Sequence, residues 1–361
     1  ASRGTEGQIF TSLTGCTFRI YSTIGGAMTH AAALAIGTDR VFYICGGTYA
    51  ETVAKTPPSG ANWDIYGAGS GSTIWQASAN SSTLWNLGTM GSGTRVRINN
   101  TFFDLNNKSS CVGLTSSNGY IYVNDCVFDT GASGSKGITA GNTLFFYATR
   151  CVFTGSGTGF DPDLAQEATI SLSFFDCGTG MDLTGNRIQV SGCLFSCTVM
   201  DAVVSTVTEV MFSGNTFNKG ITGTGDHESV AFVGNTFRIG AGETGLDLAP
   251  SINSEGYVIE ANTFKLSSTG VGIALDAQMI TGLIAHNTFV GGTLSNEITG
   301  SGGASLQGFH NSSDAGALAD FGPVVGHFTG ASTAITPRYN AYLTSGNLDS
   351  WLEGAAITPS A

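Results

Sequence analysis

The sequence predicts an all-β solenoid, short strands wound into about 11–12 stacked coils, and three observations carry that prediction. The first is a repeat. Residues 209–237 contain one phrase twice: an alternating apolar pair (Val210 and Phe212, then Val230 and Phe232) followed by Gly-Asn-Thr-Phe. It recurs as YVIEANTF at 257–264 and GLIAHNTF at 282–289, with looser copies at 96–103, 121–128, 146–153, 169–175 and 188–195. The closing aromatics, from Phe103 to Phe289, are 25, 25, 22, 20, 22, 20, 27 and 25 residues apart. The second is strand alternation in every copy, which gives each coil one inward and one outward face. The third is composition: 52 Gly against 7 Pro, 41% hydrophobic and 11% charged residues. Such a chain can build a core, and its glycines read as turn residues.

The elements follow in order. Residues 1–40 read as an N-terminal cap, with one helical stretch near 27–36 (AMTHAAALAI) that would cover the first coil's open edge. Residues 41–311 read as the solenoid. It opens with FYICGGTYAETV at 42–53 and WDIYGAGSGSTIW at 63–75, each a strand, a Gly-rich turn and a second strand. Residues 312–361 lose the period and read as a C-terminal cap or attachment segment.

Like stacks on like along such a body. The nine phenylalanines form one inward column. Two residues before them, Asn215, Asn235, Asn262, Asn287 and Asn311 stand on consecutive coils, where each amide can hydrogen-bond to the next. Cys126, Cys151 and Cys193 hold the same position earlier, and Cys177 and Cys197 share another. Their spacing would admit disulfides, but buried thiols acting as small apolar residues are the simpler reading. Trp63, Trp75, Trp85 and Trp351 lie towards the ends of the chain and read as caps.

A net charge of −12 argues against nucleic acid as a partner, since that needs a basic stripe. No apolar run approaches a membrane span, so no membrane insertion is expected. The chain opens without a basic-then-apolar leader, and a start at Ala1 fits a leader already removed.

The two opening coils, after a helical cap, resemble the first coils of the pectin lyase-like superfamily. The later Asn-Thr-Phe copies are similar to its generic repeats. The resemblance implies a single-stranded right-handed parallel β-helix. It says little about activity, because that superfamily includes lyases, hydrolases, esterases, phage tailspikes and non-catalytic surface proteins. The polygalacturonase-type motifs are absent, and no Lys or Arg stands among the aspartates as the base of a pectate lyase would. What remains is similar to the tailspike or virion-surface type, which implies a parallel homotrimer, with 314–361 at the contact.

Candidate chemistry lies in the outward column of the second strand: Thr115, Thr139, Asp161, Asp182, Asp201, Thr222, Asp247, Ala274 and Thr299. Asp is depleted in strands and stacked like charges repel, so three consecutive Asp call for an explanation. At ~4.8 Å per coil, Asp161, Asp182 and Asp201 could supply either glycosidase geometry. Asp182, flanked by both neighbours, would be the general acid, and Asp161 or Asp201 the base or nucleophile. Asp163 and Asp247 would contact substrate. Solvated turn aspartates in another register are the plain alternative. No resident cofactor is expected, although the carboxylates would also suit a divalent cation such as calcium. The loop Asp226-His227-Glu228 reads as a solvated turn, His286 and His310 as stacked surface histidines, and Asp125 with Arg150 as a surface ion pair.

The sequence therefore points to an extracellular or virion-surface protein that engages a polysaccharide or cell-surface glycan, with hydrolysis as a further step. A non-catalytic structural or adhesion rod and a secreted polysaccharide lyase are the alternatives.

Overall fold

The computed structural model describes residues 8–11, 17–34, 39–163, 165–251, 254–300, 302, 305–316 and 318. The expected fold class is the one observed: mostly parallel strands forming a β-solenoid of about 11 turns, with two helices. The chain divides into two compact units, residues 1–169 with 176–178, and residues 170–175 with 179–361.

In the first unit an antiparallel pair, Gln8–Thr11 with Thr17–Ile20, precedes the helix. The helix runs Ile24–Ala32, starting earlier than the expected 27–36. The reason is Thr23, whose hydroxyl accepts from Gly26 N at 3.0 Å and caps the first turn. The Glu51 carboxylate also accepts from Ile24 N (2.7 Å) and Gly25 N (2.9 Å), neutralising the positive helix end. Residues 35–36 of the expected helix lie outside the described residues.

Each coil of this unit contributes three strands. The fully formed set is Arg95–Asn99, Phe102–Asp104 and Val112–Ser117, then Tyr120–Asn124, Val127–Asp129 and Lys136–Ala140. Register holds like over like: Trp63 over Val96, Val96 over Ile121, Ile121 over Phe146. The aromatic column here is Trp75, Phe103, Phe128 and Phe153, with successive centroids 5.6, 4.8 and 5.2 Å apart. Trp63, Trp75 and Trp85 are thus fully buried core residues rather than end caps, because Trp75 occupies the phenylalanine position. Trp351 lies outside the described residues.

The second unit has an aromatic column of its own, Phe175, Phe195, Phe217, Phe237, Phe264 and Phe289, at centroid steps of 4.7–4.9 Å. Beside it runs the asparagine ladder. Each amide donates to the next Oδ1 at 3.0 Å, from Asn215 through Asn311, and also to a core-strand carbonyl such as Val190 O or Phe212 O. Asn215, Asn235, Asn262 and Asn287 are buried and Asn311 half-buried, so the ladder's amides replace water for turn groups that no strand pairs. Gly214, at φ +63°, supplies the left-handed residue that turns the chain into Asn215.

The seven described cysteines are free thiols. In the first unit Cys126 and Cys151 take the ladder position and donate weakly to the carbonyls of Asn124 (3.3 Å) and Val123 (3.5 Å). Burial raises both thiols, that of Cys151 to about 12. The expected attachment segment, apart from its first few residues, lies outside the described residues.

Candidate functional site

The aspartate column forms in part. In the first unit Asn86, Thr115, Thr139 and Asp161 pair in register along the second-strand face. In the second unit the same kind of column reads Asp182, Val203, Thr222, Asp247, Ala274 and Thr299. Asp182 therefore lies opposite Val203, and Asp201 is not in the column, contrary to the sequence reading. The cause is core packing. Met181 pairs with Ala202 and Leu183 with Val204, which keeps small apolar residues inward and moves Asp201 two residues out of line.

Asp201 has a different task. It is fully buried, and its Oδ2 accepts from the backbone N–H of Asn218 (2.6 Å), Lys219 (2.5 Å) and Gly220 (3.0 Å). Desolvation raises its pKa despite those donors. A carboxylate enclosed in this way ties down a turn and is not presented to a substrate.

The remaining candidates are dispersed. Asp161 is buried and ion-paired with Lys136, and its Oδ1 accepts from Asp163 N at 3.3 Å. Lys136 was missed because it stands three residues before Thr139; its long side chain reaches the column from the neighbouring coil. Thr139 Oγ1, next in register to Asp161, is buried without a hydrogen-bond partner among the described residues. Asp163 is exposed in the following turn, and Asp247 is exposed between Thr222 and Ala274. Asp182 is half-buried.

The other sequence candidates are accounted for by their contacts. His227 is fully buried rather than solvated. Its Nδ1 meets Tyr257 Oη at 2.9 Å and its Nε2 meets Val204 O at 3.2 Å, while burial lowers its pKa. Arg150 grips Asp125 with two bonds of 2.7 and 2.8 Å, as expected, and holds that carboxyl below its usual range.

A feature that the repeat did not advertise lies on the first unit's opening sheet. Strands Arg40–Ile44, Asn62–Gly67, Arg95–Asn99, Tyr120–Asn124 and Phe145–Thr149 pair in parallel. Their outward positions form three columns. One reads Asn62, Arg95, Tyr120, Phe145; the next Val41, Asp64, Arg97, Tyr122, Tyr147; the third Tyr43, Tyr66, Asn99, Asn124, Thr149. Six aromatic rings thus lie on one sheet face, none fully buried, with Tyr43 75% and Tyr120 39% exposed. Tyr43 stacks on Tyr66 at 5.6 Å and 21°. Tyr122 sits 5.7 Å from Phe145 and 6.2 Å from Tyr147.

Polar groups stand among the rings. Arg97 meets Asp64 at 3.4 Å, and Asn124 Nδ2 donates to Asn99 Oδ1 at 3.1 Å. Arg95 Nε is buried without a hydrogen-bond partner among the described residues. In the second unit the corresponding outward residues are Arg187, Gln189 and Ser191, then Glu209, Met211 and Ser213, then Ser229, Ala231 and Val233. These include no aromatic residue.

No protein-family model and no curated protein matches this sequence. Among solved structures, the chain is similar to the A-module of the Azotobacter vinelandii mannuronan C-5 epimerase AlgE4. The identity is 12% and the TM-score 0.37, over 80% of this chain and 90% of that one. A likeness at that level says nothing of activity.

Proposed function

We propose that this protein binds polysaccharide on the outward aromatic face of its first unit. The observation that carries the proposal is the set of six rings on one sheet face, Tyr43 and Tyr66 on one pair of neighbouring strands and Tyr120, Tyr122, Phe145 and Tyr147 on another, with Arg95, Arg97 and Asn99 on the strand between them. Tyr43 and Tyr120 are exposed and the other four rings half-buried, so the face offers apolar ring surface that a ligand would cover. The C–H faces of pyranose rings stack on flat aromatic rings, and sugar hydroxyls accept from and donate to Asn, Asp and Arg. Parallel strands repeat about every 4.8 Å, which gives an extended glycan a periodic platform. Two χ angles fix a tyrosine, so little side-chain freedom is lost on binding.

The setting follows from the ligand. Polysaccharides are met outside the cell, so an extracellular or virion-surface, tailspike-like protein is the reading we favour, with assembly as a parallel homotrimer. Light scattering that gives a single 37.0 kDa chain would reject the trimer.

Binding without cleavage is favoured over hydrolysis by one observation: the Asp201 carboxylate is committed to backbone donors. A hydrolase would have to draw on Asp161 or Asp182, with Asp163 and Asp247 as contacts. The test is a panel of neutral and acidic polysaccharides, scored both for retention of the protein and for release of reducing ends. Retention with no release supports the binding reading. Release that Asp182→Asn or Asp161→Asn abolishes would make the protein an enzyme.

A further inference from the structure

Strand Arg95–Asn99 runs between the two groups of rings on the first unit's aromatic face. Register puts Arg95 between Asn62 and Tyr120, and Arg97 between Asp64 and Tyr122. Tyr66 stands on the strand to one side, Tyr120 and Tyr122 on the strand to the other.

The two arginines differ in company. Arg97 meets the Asp64 carboxylate at 3.4 Å, as Arg150 meets Asp125 and Arg187 meets Glu209. Arg95 is half-buried, and its guanidinium has no ion pair or hydrogen bond among the described residues. Asp39 does not serve it, since Asp39 Oδ1 accepts from Asn62 N (3.0 Å) and Asn62 Nδ2 (2.7 Å). Arg238 also lacks a carboxylate partner, but it is exposed and water solvates it. Arg95 Nε is closed off from solvent, so its stem lies along the sheet and its two Nη groups are the donors left open.

We infer that the glycan bound by this face is acidic, bearing uronate-type carboxylates, and that Arg95 is the residue that reads them. The inference rests on the aromatic face being the glycan surface. A polymer stacked on rings of both groups must cross the strand between them, which brings its middle residues over Arg95 and Arg97. A half-buried guanidinium without a counter-ion is unfavourable. A carboxylate matches its planar fork with two parallel bonds, which a sugar hydroxyl cannot do. Arg97 can join it, because its contact with Asp64 is longer than the about 2.7–2.9 Å usual for charge-assisted bonds.

Asp64 limits how much charge the ligand can carry. A carboxylate in the same face repels a densely sulfated chain and tolerates one spaced charge per sugar. The net charge of −12 opposes polyanions in general, so an acidic polymer retained here is held by local contacts.

The test is affinity electrophoresis in gels cast with polygalacturonate or hyaluronate, with the carboxyl-reduced form of each, and with dextran sulfate. Mobility is scored against a polymer-free gel, which cancels the charge change of a variant. Wild type should be retarded by a uronate polymer, and at least roughly tenfold more weakly by its reduced form, the loss of one charge-assisted contact. Arg95→Gln should lose as much on the acidic polymer and nothing on the reduced one. Arg95→Lys, which keeps the charge without the fork, should fall between. Unchanged melting midpoints would show that both variants fold, and the comparison of acidic with reduced polymer needs no variant. Equal retardation by the two forms, stronger retardation by dextran sulfate, or Arg95→Gln retarded like wild type would overturn the inference. Wild type retarded by neither uronate polymer would overturn it as well. In each of those cases, retention on a neutral polymer that Tyr122→Ala/Tyr147→Ala loses would leave the aromatic face standing.

Discussion

Asn235 Nδ2 donates to Asn262 Oδ1 at 3.0 Å and to Phe212 O at 3.0 Å. Its own Oδ1 accepts from Asn215 N at 2.9 Å and from Asn215 Nδ2 at 3.0 Å. Both donors and both acceptor positions of this side chain are therefore used inside the protein. Leucine has nearly the same size and none of these groups. Asn235→Leu should lower stability by about 1–3 kcal/mol, because it leaves the Asn215 N–H and the Phe212 carbonyl unpaired in the core. Denaturant midpoints of the two proteins check this, and an unchanged midpoint would mean that the ladder contributes nothing.

Asp201→Ala should cost more, roughly 3–5 kcal/mol, since three consecutive backbone N–H groups lose one carboxylate oxygen. The pH dependence has a definite sign. The folded-state pKa of Asp201 is raised above the ordinary 3.8 by burial, so the unfolded chain releases this proton first. Its contribution to stability is complete below the ordinary value and is lost as pH rises through the folded one. Glu297, also raised by burial, acts in the same direction. Urea unfolding of wild type and Asp201→Asn across that range should show a shallower decline in the variant. Parallel curves would contradict the assignment.

Most of the fold was legible because it rests on features that repeat. The phenylalanine column, the asparagine ladder and the inward apolar pairs each recur at one coil position, so one alignment finds them all. Asp201 was misplaced because Met-Asp occurs at both 181–182 and 200–201, and matching that dipeptide overrode the inward pairing of Met181 with Ala202. The aromatic face was missed for the opposite reason. Tyr43, Tyr66, Tyr120, Tyr122, Phe145 and Tyr147 obey no repeat rule, since outward positions are free to vary from coil to coil. Two clues were present in the sequence: Tyr120-Ile-Tyr122 and Phe145-Phe-Tyr147 put aromatics on alternate residues of strands already identified. Lys136 escaped because a long side chain can reach one coil over from a position outside the column.

The thiols should divide by burial. Cys151 and Cys193 are buried, with pKa values pushed up to about 12 and about 11, while Cys45 is exposed. Alkylation of native protein followed by peptide mapping should label Cys45 and spare Cys126, Cys151 and Cys193 until denaturant is added. Prompt labelling of Cys151 in the native state would show that this part of the core opens.

The account's central claim is glycan binding by the aromatic face, and the most direct test is affinity electrophoresis through gels cast with individual polysaccharides. Wild type should be retarded by at least one of them. Tyr122→Ala/Tyr147→Ala removes two half-exposed rings from adjacent strands without touching the core. It should keep the wild-type melting midpoint and lose at least roughly tenfold in affinity, about 1.4 kcal/mol. Wild type that no polysaccharide retards, or a double variant retarded as strongly as wild type, would contradict the claim.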